Sequence, residues 1–147
     1  MGDKMKEKTV VFIGHSDITG LDTEKLTAKI TELINKGYTD FMSGGMGGFD
    51  RISAKTVCGL KRKYPHIKSI LVIPYLDHNI YDRSIFDEVI FPECLENVPH
   101  RAAIPKRNEY MISLSSAAVC FVRHITGGAA VTREKAMKMG VVMYDLV

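Results

Sequence analysis

The residues that could do chemistry here sit mainly in glycine-rich turns. Ser43-Gly44-Gly45-Met46-Gly47-Gly48-Phe49-Asp50 holds four of the chain's twelve glycines. Backbone this bare can approach a phosphate closely and aim N–H groups at it from a helix N-terminus. The same glycines would equally serve a tight turn that only lets a strand and a helix pack. Gly14-His15 and Gly127-Gly128 form two further turns of this kind. His15 could donate to a phosphate or a ribose. Asp50 could cap the loop or contact a ribose hydroxyl. Tyr75 could stack on a base, or simply cover the core. His100 and Arg101 lie where they could close over a ligand. His66, His78 and His124 have no metal-ligand spacing with one another or with the cysteines, so no metal or cofactor is expected.

The elements that must position these residues alternate. Thr9 to Ile13, Thr39 to Met42, Ser69 to Ile73, Glu88 to Phe91, Ala117 to Val122 and Val141 to Tyr144 read as strands. Most are continuous apolar runs, the mark of strands buried on both faces. Leu26, Ile30, Leu33 and Ile34 fall at i, i+4, i+7 and i+8 of a helix that Asp22 or Thr23 can cap. Helices are also expected from about Phe49 to Tyr64, from Pro105 to Ser115 and from Ala130 to Met139. Residues 92–104 read as a long connection punctuated by prolines. The pattern predicts an α/β fold, a doubly wound Rossmann-like sandwich with a mostly parallel sheet, in which ligands sit at strand carboxyl ends. All three glycine turns leave such ends.

The chain of 147 residues, 46% apolar and 25% charged, suits one globular domain over residues 1–147. A net charge of +3 is mild. With no aromatic-basic stripe in the sequence, it makes nucleic acid an unlikely partner on this reading. Cys58, Cys94 and Cys120 are odd in number and unpaired in spacing, which favours a reducing, cytoplasmic setting. No run approaches membrane-spanning length, and Met1 to Lys4 do not begin a secretory signal.

Three places carry a resemblance to the SLOG superfamily, which includes DprA, the LOG phosphoribohydrolases and the small YspA/YpsA-type proteins. Ile13-Gly14-His15 is similar to the Gly-His-Arg turn of the small members, with Ser16 in place of arginine. Ser43-Gly44-Gly45 with Gly47 and Asp50 is similar to the superfamily's first glycine loop. Gly127-Gly128 with Thr132, Ala136 and Gly140 is similar to the second. The resemblance implies a nucleotide or nucleotide-derived phosphate ligand held across the two loops by Gly14, His15, Ser43, Gly44, Gly45, Gly47, Asp50, Arg107, Gly127, Gly128 and Thr132. It also implies pairing into a homodimer or higher oligomer. In the LOG enzymes an arginine and a glutamate cleave an N-glycosidic bond, and Arg107 and Glu134 stand where those residues would. Departures count against cleavage: no proline precedes Gly127, and the stretch is closer to the non-catalytic DprA form. The expectation is therefore a binding module. A nucleoside 5′-monophosphate phosphoribohydrolase and a DprA-like single-stranded-DNA binder are the alternatives.

Overall fold

The structure is a computed structural model and describes residues 6–147. Six strands are described: β1 (Thr9–Gly14), β2 (Asp40–Ser43), β3 (Lys68–Val72), β4 (Glu88–Ile90), β5 (Ala117–Phe121) and β6 (Val142–Asp145). They form one sheet in the order β4-β3-β2-β1-β5-β6, and every pairing is parallel. Four helices connect them: α1 (Thr23–Asn35), α2 (Gly47–Leu60), α3 (His100–Ser113) and α4 (Gly128–Lys138). This is the expected Rossmann-like sandwich.

The apolar runs are explained by burial on both sides. Val10 and Phe12 face the cluster built with Leu26, Ile30 and Leu33 of α1 and Phe49 and Val57 of α2. Val11 and Ile13 face the cluster built with Met111 and Ile112 of α3 and Ala136 of α4. Successive strand side chains alternate faces, so one strand serves both layers. The Asp22 carboxylate caps α1, accepting from the Glu24 and Lys25 N–H groups at 3.0 and 3.1 Å.

Chain order sets where a ligand can enter. From β1 the chain steps through β2 and β3 to β4, then crosses back to place β5 beside β1 in register, Val10 opposite Ala117 through Gly14 opposite Phe121. Beyond the carboxyl ends of β1 and β5 the two halves diverge and leave a crevice.

One boundary differs from expectation. α3 begins at His100, five residues before Pro105, so the predicted 92–104 connection ends earlier and includes a 3-10 turn at Glu93–Leu95. Proline removes one N–H and crowds the carbonyl four residues back, but Ala102 and Ala103 are strong helix formers and Ala103 is buried. The earlier start puts Ala103, Arg107 and Met111 on one buried face at a spacing of four. No helix among the described residues is long and apolar enough to cross a membrane.

Candidate functional site

Arg107 is 2% exposed because it lies on that buried face of α3. Its Nη1 donates to the carbonyls of Gly44, at 3.0 Å, and Val72, at 2.9 Å. Its Nε donates to Asn108 Oδ1 at 2.8 Å, and Nη2 lies 3.5 Å from Met46 Sδ. Burial pushes the guanidinium below its ordinary value, with Asp50 pulling it back. It nevertheless stays charged. The resemblance placed Arg107 among the residues that hold the ligand. In the structure two backbone carbonyls take Nη1 and a side-chain amide takes Nε, so the guanidinium fixes the first glycine loop.

The network continues to the second loop. Asn108 Nδ2 donates to Thr132 Oγ1 at 3.3 Å, and Thr132 Oγ1 donates to the Gly128 carbonyl at 2.9 Å. A hydrogen-bonded chain thus runs from Gly44 through Arg107, Asn108 and Thr132 to Gly128. Asn108 is its central link, and sequence reasoning gave it no role. Its signal was adjacency to an arginine on a predicted helix, which only the fold turns into a bridge.

A cavity of about 230 Å³ lies within this frame. Gly14, Asp50, Arg107, Gly128 and Thr132 line it, together with Asn108, Met46, Ile104 and parts of β1. Five of the predicted ligand residues are therefore brought together. His15, Ser43, Gly44, Gly45, Gly47 and Gly127 do not line it.

The first loop explains most of those exclusions. The α2 N–H groups of Gly48 and Phe49 donate to the carbonyls of Ser16 and His15, at 2.9 and 3.2 Å. Met46 N–H donates to Asp50 Oδ2 at 3.1 Å. The expected cradle of free N–H groups is thus largely filled by the neighbouring turn. A Cβ on Gly44 would lie 2.6 Å from Arg107 Cζ, and one on Gly47 would lie 2.6 Å from Ser16 Oγ. Ser43 is buried at the end of β2, 1% exposed. The packing alternative weighed for these glycines accounts for them here. Asp50 is half-buried at the cavity wall, and burial pushes its carboxyl up to about 6 against the pull of Met46 N–H and Arg107.

The second loop is open. Cβ atoms on Gly127 or Gly128 would meet nothing within 4 Å. Gly127 has φ +99 and precedes α4, whose N-terminus no side chain caps. The first N–H groups of a helix have no partner within it, and the dipole there favours an anion.

His15 serves the frame. Its Nε2 accepts from Arg123 N–H at 2.8 Å. Burial lowers its pKa, and neighbouring His124 and Arg123 lower it further, so the ring is neutral at pH 7. Glu134 lies elsewhere: its side chain is 68% exposed, 3.3 Å from Lys138. It lines a separate groove of about 390 Å³ with Arg123, His124 and Arg133. Arg107 and Glu134 therefore line different cavities. Among the described residues no cluster suits a metal ion.

The chain is similar to DNA processing protein A (DprA) from Streptococcus pneumoniae, with TM-score 0.68 and 18% identity over 97% of this chain. DprA from Helicobacter pylori, described for its single-stranded DNA binding mode, matches with TM-score 0.67 and 18% identity, again over 97% of this chain. The chain spans 51% and 66% of those two chains. At this identity the likeness shows the fold. It also corrects the expectation that nucleic acid is an unlikely partner, because a protein with this fold binds single-stranded DNA, and a modest net charge does not exclude such binding. The uncharacterized SPbeta prophage-derived protein YoqJ of Bacillus subtilis (strain 168) is 35% identical over 117 residues, 65% of this chain and 68% of that one. The model of the YspA SLOG family matches residues 14–140, and the chain belongs to that family.

Proposed function

We propose that this protein binds a nucleotide unit, with its phosphate at the N-terminus of α4 and its sugar in the adjoining cavity. The observation that carries the reading is the cavity itself: it opens at an uncapped helix N-terminus, and its polar walls are already fixed by hydrogen bonds. Preorganised walls lower the ordering cost of binding. Asp50 faces the cavity as an acceptor for a ribose hydroxyl. The setting is cytosolic, in keeping with three free cysteines. Separation of Glu134 from Arg107 favours binding over hydrolysis.

A specific observation favours a second reading, in which the unit belongs to single-stranded DNA. The fold of a DNA processing protein covers 97% of the chain. In addition, a cavity of about 230 Å³ falls below the roughly 300–1,000 Å³ of ordinary ligand pockets, so most of a ligand would lie outside it.

Calorimetric titration with thymidine monophosphate, AMP, ADP-ribose and a short oligothymidylate tests the proposal. Gly128→Leu is the informative variant, since a Cβ there meets nothing within 4 Å and the residue lines the cavity. Binding that is present in the natural chain and lost in Gly128→Leu is the expected result. Absence of heat with every one of these compounds would sink the proposal.

A further inference from the structure

We infer that the surface beside the cavity, formed by the loop after β3 and the start of α3, stacks the bases of a single DNA strand. This inference rests on the second reading above. Six tyrosines occur in the chain. Tyr38, Tyr64, Tyr110 and Tyr144 pack on the two apolar clusters, whereas Tyr75 and Tyr81 belong to neither, and both lie on this loop.

Their surroundings suit bases. The Tyr75 ring stacks on the exposed imidazole of His100 with centroids 3.9 Å apart and planes inclined by 24°. Tyr81 is 55% exposed, with the Arg51 guanidinium 4.4 Å and the Lys55 ammonium 5.1 Å from its ring centre. Every base offers a π-face, so aromatic rings beside cations bind a strand with little sequence preference. The loop carries three carboxylates: Asp82 accepts from the Ser84 N–H and hydroxyl, Asp87 pairs with Lys61, and Asp77 is exposed, as is the loop's own cation, Arg83.

Two chain neighbours relate the surface to the cavity. Arg51 directly follows Asp50, and His100 lies one helical turn before Ile104, and both Asp50 and Ile104 line the cavity. One sugar-phosphate in the cavity would therefore leave its neighbours over the rings. A mononucleotide carries one base and can stack at one of the two ring stations, Tyr75–His100 or Tyr81, whereas a strand offers a base to each. That difference favours a strand as the occupant.

The test compares thymidine monophosphate with an oligothymidylate of about eight nucleotides, using the full chain and checking each variant's fold by circular dichroism. The natural chain should bind the oligonucleotide more tightly than the mononucleotide. Tyr81→Ala and His100→Ala should each weaken oligonucleotide binding roughly tenfold, and Tyr81→Trp should retain it. An unchanged oligonucleotide affinity in both alanine variants overturns the stacking surface, while loss of mononucleotide binding in Gly128→Leu would leave the cavity reading standing. Equal affinity of the natural chain for the two ligands also overturns it. Binding of neither ligand by the natural chain removes the cavity reading together with this one.

Discussion

The two main glycine loops leave the same edge of the sheet, and each leads into a helix, yet their surroundings are opposite. Around Ser43 to Asp50, neighbouring carbonyls take the helix N–H groups, Arg107 lies against Gly44, and Ser16 lies against Gly47. Around Gly127 and Gly128, no atom stands within 4 Å of where a side chain would begin. Glycine is required in the first loop because other groups already fill the space. In the second, that space is open. A glycine motif therefore reports close approach without saying what approaches, and the partner can be the protein itself.

The sharpest way to break this contrast is at Arg107. Arg107→Met leaves the buried Gly44 and Val72 carbonyls without a donor and removes the positive charge beside Asp50. It should lower stability by about 3 kcal/mol, read as a fall in the urea midpoint. A loss below about 1 kcal/mol would mean that the guanidinium does not hold the first loop.

Gly47→Ala comes next. It imposes φ +85 on alanine and places a Cβ 2.8 Å from Ser16 Cα. The expected loss is about 1–3 kcal/mol by the same measurement, and a neutral result would contradict the packed description.

Asp50 gives a pH test of comparable or smaller size. Its folded-state pKa of about 6 stands above the ordinary 3.8, so the folded chain binds this proton more tightly than the unfolded chain does. The resulting stabilisation is full below the ordinary value and is lost as pH rises toward and through about 6. Asp50→Asn should flatten stability across that window and raise it at neutral pH by about 1–3 kcal/mol. Parallel pH profiles for the two proteins would show that burial does not strain this carboxylate.

The smallest expected effect belongs to the open loop. Gly128→Ala should change stability by no more than about 0.5 kcal/mol. A thermal melt showing a loss as large as that of Gly47→Ala would erase the distinction between the loops.

Much of the architecture was legible because the four inner strands are apolar on both faces and the first two helices carry regular stripes. One feature of the first loop was not legible. His15 and Ser16 are some thirty residues from Gly48 in sequence, and nothing local says that their carbonyls would fill its helix N-terminus. Arg107 was placed between the loops, but with α3 started at Pro105 its match with Ala103 and Met111 was hidden, and with it the burial of the charge. Nucleic acid was discounted for want of an aromatic-basic stripe, yet Arg51 and Lys55 meet Tyr81, and Tyr75 meets His100, only once the chain is folded.

The sequence by itself determined the alternation of buried strands and helices, the glycine turns at strand carboxyl ends and the family. Periodicity and turn chemistry are local properties, and they survive in one dimension. Only the tertiary structure decided which loop is filled and which is open, that Asn108 bridges them, and that Glu134 faces a groove away from Arg107. Those outcomes depend on which carbonyl reaches which N–H across the sheet, and that is fixed only when distant segments pack.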